Sequence, residues 1–206
     1  MDAFAFFLKA FTTLFVVMDP VGLAPVFVAL AGDRPEAERV RIAKRAVTIA
    51  TFLLVFFGLF GEPLLRYLGI ELAAFRAAGG LLLFKIALDM VFVHRERETP
   101  EEEEEARMRE DISVFPLAIP LLVGPGAMAS ILVLMAEARH VEGGFWAVVA
   151  ASALVLLLAY LALRLAAVIS RMLGQTGVNV VTRVLGVLLA ALAIQFVFDG
   201  VAEALF

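Results

Sequence analysis

The chain contains no cysteine, which excludes disulfides and thiolate metal sites. Its two histidines, His94 and His140, fall in or beside loops and are not spaced as metal ligands, so no metal site and no cofactor is expected. Charged residues make up only 18% of the chain, and none of its basic residues cluster densely enough to track phosphates, which argues against a nucleic-acid partner. No glycine-rich phosphate loop follows a strand, so ATP-driven work by this chain alone is not expected. No serine–histidine pair sits deep in an apolar segment, and Asp19 is the only clearly central carboxylate. Intramembrane hydrolysis would need such a nucleophile–base pair or two facing carboxylates. The chain is therefore not expected to be an enzyme.

What is present is apolar sequence. Of the 206 residues, 63% are hydrophobic, and the mean hydropathy is +0.97. Soluble domains usually sit at about 45–50% apolar. A bilayer-spanning helix needs about 20 apolar residues, and such runs are expected at 4–31, 41–61, 71–93, 113–136, 144–164 and 180–204. The reading is an all-α membrane protein of six spans in a single domain over 1–206, with the lipid bilayer as its surroundings. The small residues "ALAG" at Ala29–Gly32 resemble a cleavage site. The start Met1-Asp2, the length of the run and the interruption at Asp19 favour a retained first span. The segment 94–112 carries "ETPEEEEEARMRED" and reads as a hydrated acidic linker.

Orientation follows from Lys and Arg. The loops between spans 1–2, 3–4 and 5–6 share one side and hold Arg34, Arg39, Arg41, Lys44, Arg45, Arg95, Arg97, Arg107, Arg109, Arg164, Arg171 and Arg183. The other side has Lys9, Arg66, Arg76 and Arg139. The arginine-rich loops are expected in the cytoplasm and both termini outside.

The second half echoes the first. "FRAAGGLLLFKIAL" from Phe75 matches "TRVLGVLLAALAIQ" from Thr182, with Arg76 on Arg183 and Gly79 on Gly186. At nearly the same offset, Pro20 of "MDPVG" falls on Pro125 of "VGPGA". Repeat one covers about 1–93 and repeat two about 113–206. Three spans per repeat is an odd number, so the repeats are inverted in the membrane, a plan common among secondary transporters.

Spans 1 and 4 are both expected to be broken near the midplane. Proline suits the first position of a new helix and aspartate is a preferred N-cap, so Asp19 should cap a half-helix starting at Pro20. Gly124 should cap another starting at Pro125, with Gly126 allowing close approach to the backbone. A half-helix N-terminus carries unpaired N–H groups and roughly half a positive charge. Asp19 neutralises its own helix end, whereas Gly124 leaves its end open to an anion. The expectation is a small zwitterion held at the midplane by Asp19, Pro20, Gly22, Gly124, Pro125 and Gly126, with Gln195 a further candidate. The breaks could instead be kinks satisfied by neighbouring helices. Lys85 and Asp89, one turn apart, are ion-coupling candidates beside Asp19, although they could simply pair with each other, with Lys85 close enough to the cytoplasmic end to snorkel. Thr12, Thr13, Thr48, Thr51 and Ser130 could line a cavity or bond back to helix carbonyls. Asp199 reads as interfacial, and Trp146 fits the interfacial aromatic belt.

"MDPVGLAPVF", "FRAAGGLLLFKIALDM", "FPLAIPLLVGPGAMAS" and "RVLGVLLAALAIQFVFDG" together resemble the MarC family of bacterial and archaeal inner-membrane proteins, grouped with LysE-type exporters. The resemblance covers essentially the whole chain. It implies a six-span carrier of small neutral amino acids such as glycine and alanine, coupled to a proton or Na⁺ gradient. Leu23 and Met128-Ala129 stand where polar residues are frequent in the family, which makes this cavity less polar. A drug or metabolite exporter with an aromatic-lined cavity and a non-transporting scaffold are the competing readings. A homo-oligomer is compatible with the chain.

Overall fold

A computed structural model describes residues 2–32, 34–92 and 112–205, apart from the side chains of residues 116, 120 and 175. All regular structure among the described residues is helical. In chain order the elements are α1 (Ala3–Met18), α2 (Pro20–Ala31), α3 (Glu36–Tyr67), α4 (Leu72–Phe92), a π-type segment (Ser113–Leu122), α5 (Pro125–Ala138), α6 (Gly144–Arg164) and α7 (Ala166–Leu205). The acidic linker expected at 94–112 lies, except for Ile112, outside the described residues.

Among the described residues, four helical stretches are long and apolar enough to cross a membrane: Ala3–Ala31, Glu36–Tyr67, Gly144–Arg164 and Thr176–Leu205. Two of the six expected spans are not among them, each for a local reason. The helix α4 carries Arg76, Lys85 and Asp89, and the stretch from Ser113 to Ala138 is divided at Gly124 into two short pieces.

The second span is expected at 41–61, in a helix that starts after Pro35; α3 does start there, and it runs on to Tyr67. Its charged first turn is helical because Glu36 and Glu38 complement the helix dipole and Arg34 pairs with Glu38 at 2.7 Å. The sixth span, expected at 180–204, is found at Thr176–Leu205, and α7 itself begins earlier, at Ala166. It is interrupted at Gly174, whose φ of 61° and ψ of 176° suit only glycine.

Packing follows from four-residue spacing. Phe6, Ala10, Leu14 and Met18 of α1 are buried in one core with Ala147, Val148, Ala151, Val155 and Ala159 of α6. The other side of α3 is apolar and exposed, with Phe52, Phe56 and Phe60 forming a ladder at ring separations of 6.3 and 5.6 Å. Exposed phenylalanine suits a surface bathed in lipid and not water.

In lipid, helices associate chiefly through close packing of small residues. The α4–α7 pair shows this. A Cβ on Gly200 would lie 2.7 Å from the Ala73 carbonyl oxygen, one on Gly80 2.7 Å from that of Ala193, and one on Gly186 3.1 Å from that of Ala87. The α4 positions ascend as the α7 positions descend, so the two helices run antiparallel with backbones nearly touching.

Candidate functional site

The first break forms as its residues dictate. The Asp19 N–H donates to the Phe15 carbonyl at 3.0 Å and closes α1, while its own carbonyl accepts from Leu23 N–H at 3.1 Å and opens α2. Asp19 itself is left-handed (φ 40°, ψ 66°), the only non-glycine residue with positive φ among those described. Aspartate tolerates that conformation better than most residues. Its Oδ1 accepts from the Gly22 N–H at 3.0 Å. A Cβ on Gly22 would collide with Asp19 Oδ2, so glycine is what lets the carboxylate fold over the helix end.

The second break is longer than the sequence suggested. Phe115 (φ −128°, ψ 128°) and Ile119 (φ −130°, ψ 123°) are extended inside the π-type segment. Each precedes a proline, Pro116 and Pro120, and a residue before proline is pushed out of the helical region. The chain compensates with wide turns, Leu117 N–H to Ile112 carbonyl at 3.3 Å and Val123 N–H to Ala118 carbonyl at 2.9 Å. Gly124 (φ −84°, ψ 179°) then caps α5 with no side-chain bond, and Pro125 takes the first helical position. The first turn presents the N–H groups of Gly126 and Ala127, which helix geometry leaves without an intrahelical acceptor. A Cβ on Gly126 would meet Leu83 Cδ2 at 2.7 Å and Ile86 Cδ1 at 3.1 Å, so α4 closes on this turn only because position 126 is glycine.

The two breaks share one cavity of about 390 Å³. Its wall includes Asp19, Gly22, Lys85, Asp89, Gly124, Pro125, Gly126 and Thr182. Most of the expected site is thus brought together from α2, α4 and α5. Away from the breaks, the lining comes from Val26, Asp89, Met90 and Thr182, towards the Ala31, Phe92 and Thr176 ends of their helices. Those ends lead to the arginine-rich loops.

Two expected residues are not in the wall. Pro20 is buried but does not line the cavity. Gln195 is exposed and donates to Asp199 Oδ1 at 2.6 Å, away from the cavity. Thr48 and Thr51 bond back to the carbonyls of Lys44 and Val47 at 2.8 and 2.7 Å, and Trp146 is 71% exposed at the start of α6. The residue that sequence reasoning missed is Thr182. It is 5% exposed, lines the cavity, and its Oγ1 has no hydrogen-bond partner. The signal was a lone hydroxyl heading the apolar run "TRVLGVLLAALAIQ". A second cavity of about 240 Å³ lies between α3, α5 and α6. Its wall contains no ionisable residue.

A sequence model for MarC family integral membrane proteins matches residues 4–205. A UPF0056 membrane protein of Methanocaldococcus jannaschii is 39% identical over 201 residues, covering 97% of this chain and 98% of the relative. One of Aquifex aeolicus is 40% identical over 201 residues, covering 97% and 94%. The UPF0056 membrane protein YhcE of Escherichia coli is 35% identical over 201 residues, covering 96% and 93%. No solved structure matches the chain.

Proposed function

The chain belongs to the MarC family of integral membrane proteins, and on that premise we propose that it is a secondary carrier for a small zwitterion of the glycine or alanine class. The observation that carries this is the shared cavity, where an Asp19-capped helix end and an open helix end at Gly124 face the same space. A substrate ammonium would sit by Asp19. A substrate carboxylate would accept from the N–H groups of Gly126 and Ala127, where the helix dipole favours an anion. Thr182 offers a hydroxyl to either group. Lys85 and Asp89 add one charge of each sign, which makes them the groups to couple transport to protons or Na⁺.

The competing readings have less support. A drug exporter wants aromatic lining, and no phenylalanine among the described residues lines this cavity. At about 390 Å³ it falls low in the roughly 300–1,000 Å³ range of small-molecule sites. A scaffold gains nothing from charged side chains gathered in a cavity among broken helices.

The antiparallel α4–α7 contact is the arrangement an inverted repeat requires of its third and sixth spans. In this reading all six spans cross, α4 included, because its Lys85 and Asp89 both line the cavity. The arginine-rich loops then lie in the cytoplasm of a prokaryotic cell, both termini lie outside, and the cavity opens inward. Uptake of radiolabelled alanine and glycine into proteoliposomes tests the proposal. The wild type should accumulate both under an imposed proton or Na⁺ gradient, and Asp19→Asn should not. Absence of uptake by folded wild type under either gradient would defeat it.

A further inference from the structure

The cavity described above serves only one side of the membrane, so a carrier needs a second half of its path. Along the α1–α5 seam, Val17 Cγ1 lies 3.5 Å from where a Cβ on Gly126 would be, and Lys9 Nζ lies 2.7 Å from Glu137 Oε2. The seam therefore runs antiparallel from the cavity to the opposite end of the bundle. Helical spacing puts Thr13 midway between Lys9 and Val17, and Ser130 one turn beyond Gly126. Both hydroxyls are buried, Thr13 at 1% and Ser130 at 0% exposure, and neither Oγ has a hydrogen-bond partner. A buried hydroxyl without a partner costs about 1–3 kcal/mol.

Beyond them lies a charge cluster. Glu137 of α5 bonds Lys9 of α1 and also meets Arg76 of α4 at 3.4 Å, and Arg76 meets Glu203 of α7 at 3.4 Å. The cluster joins two helices of the first repeat to two of the second. The Arg76 and Glu137 side chains are only 13% and 19% exposed, so their contact is not an ordinary surface pair, whereas Lys9 and Glu203 at the two ends of the cluster are 37% and 45% exposed. Yet the Arg76 bonds are long, and its Nε is buried without a partner. The cluster is closed but not saturated, as suits a contact that must open.

Resting on the carrier reading, we infer that the α1–α5 seam is the outer half of the transport path. Thr13 and Ser130 form its polar station, and the Lys9–Glu137–Arg76–Glu203 cluster is its closed outer gate. In the outward-open state the two hydroxyls bond to water or to the passing zwitterion.

The absence of cysteine makes the test clean. Single Thr13→Cys, Ser130→Cys and Thr182→Cys variants are exposed to a membrane-impermeant maleimide from each side of oriented vesicles. Thr182→Cys should label from the side of the arginine-rich loops. Thr13→Cys and Ser130→Cys should label only from the opposite side, and on the order of tenfold faster when Lys9→Gln or Glu137→Gln weakens the gate. If Thr182→Cys labels while both seam positions stay unreactive in both gate variants, the seam is not the path and the inward cavity stands. If Thr182→Cys labels from neither side, the cavity reading falls and takes the seam with it.

Discussion

Asp19 has two separable jobs, and a three-member series tells them apart. Its carboxylate caps α2 through the Gly22 N–H at 3.0 Å, and its backbone is left-handed at φ 40°. Asp19→Ala removes the cap, which costs about 1 kcal/mol with a range of about 0.5–2. It also places a Cβ without a local hydrogen bond in a left-handed conformation, for about 1–2 kcal/mol more. The expected loss is about 2–4 kcal/mol. Asp19→Asn keeps the capping oxygen and the tolerance of positive φ. It forfeits only the attraction of a full charge to the helix dipole, about 0.3–1 kcal/mol, and that is offset by removing a charge from the membrane interior. Asp19→Asn should therefore unfold within about 1 kcal/mol of wild type. Asp19→Gly should fall between the two, since it loses the cap but relieves the backbone. The assay is reversible unfolding in mixed micelles followed by helical circular dichroism. Equal destabilisation by Asn and Ala would refute the reasoning, because the charge itself would then be holding the break together.

Other substitutions probe the remaining parts. Gly80→Ala should destabilise by about 1–3 kcal/mol in the same assay, because its Cβ would lie 2.7 Å from the Ala193 carbonyl oxygen and 2.9 Å from the Val197 nitrogen. Gly174→Ala meets nothing within 4 Å and should lose only the backbone penalty of its glycine-only conformation, about 1–3 kcal/mol. Glu137→Gln leaves Lys9 and Arg76 without a shared carboxylate and should cost about 1–3 kcal/mol, with Lys9→Gln largely silent in the Glu137→Gln background when a double-mutant cycle is measured. Gln195→Leu, outside the cavity wall, should leave the KM for alanine uptake within about twofold of wild type, and a larger rise would bring Gln195 back into the site.

The breaks were legible because the chemistry is local. Asp-Pro and Gly-Pro-Gly each specify a cap and a first helical residue without help from the rest of the chain. The longer distortion at Phe115 and Ile119 was equally local, encoded by "FPLAIP", but the stronger Gly-Pro-Gly signal nearby drew the boundary to itself. The exposed face of α4 could not be read from spacing, since Lys85 and Asp89 as an intrahelical pair and as two cavity-lining groups obey the same i,i+4 rule. Their direction depends on where α7 packs, and that is set by Gly80, Gly186 and Gly200 acting across the chain. Thr182 and Gln195 show the same limit. Each is a polar residue in one apolar helix, and only the rotation of that helix against α4 puts the first in the cavity and the second outside it.

The account stands or falls on a zwitterion being held at both ends. The most direct measurement is equilibrium binding of labelled alanine to the purified protein, competed by glycine, by alaninamide and by propionate. Alaninamide lacks the carboxylate and propionate lacks the ammonium. Glycine should compete, and both truncated analogues should bind more weakly than alanine by about tenfold to a hundredfold, because each forfeits one charged contact worth about 1.5–3 kcal/mol. Competition by alaninamide or propionate as strong as that by glycine would contradict it, since one helix end would then have no part in recognition.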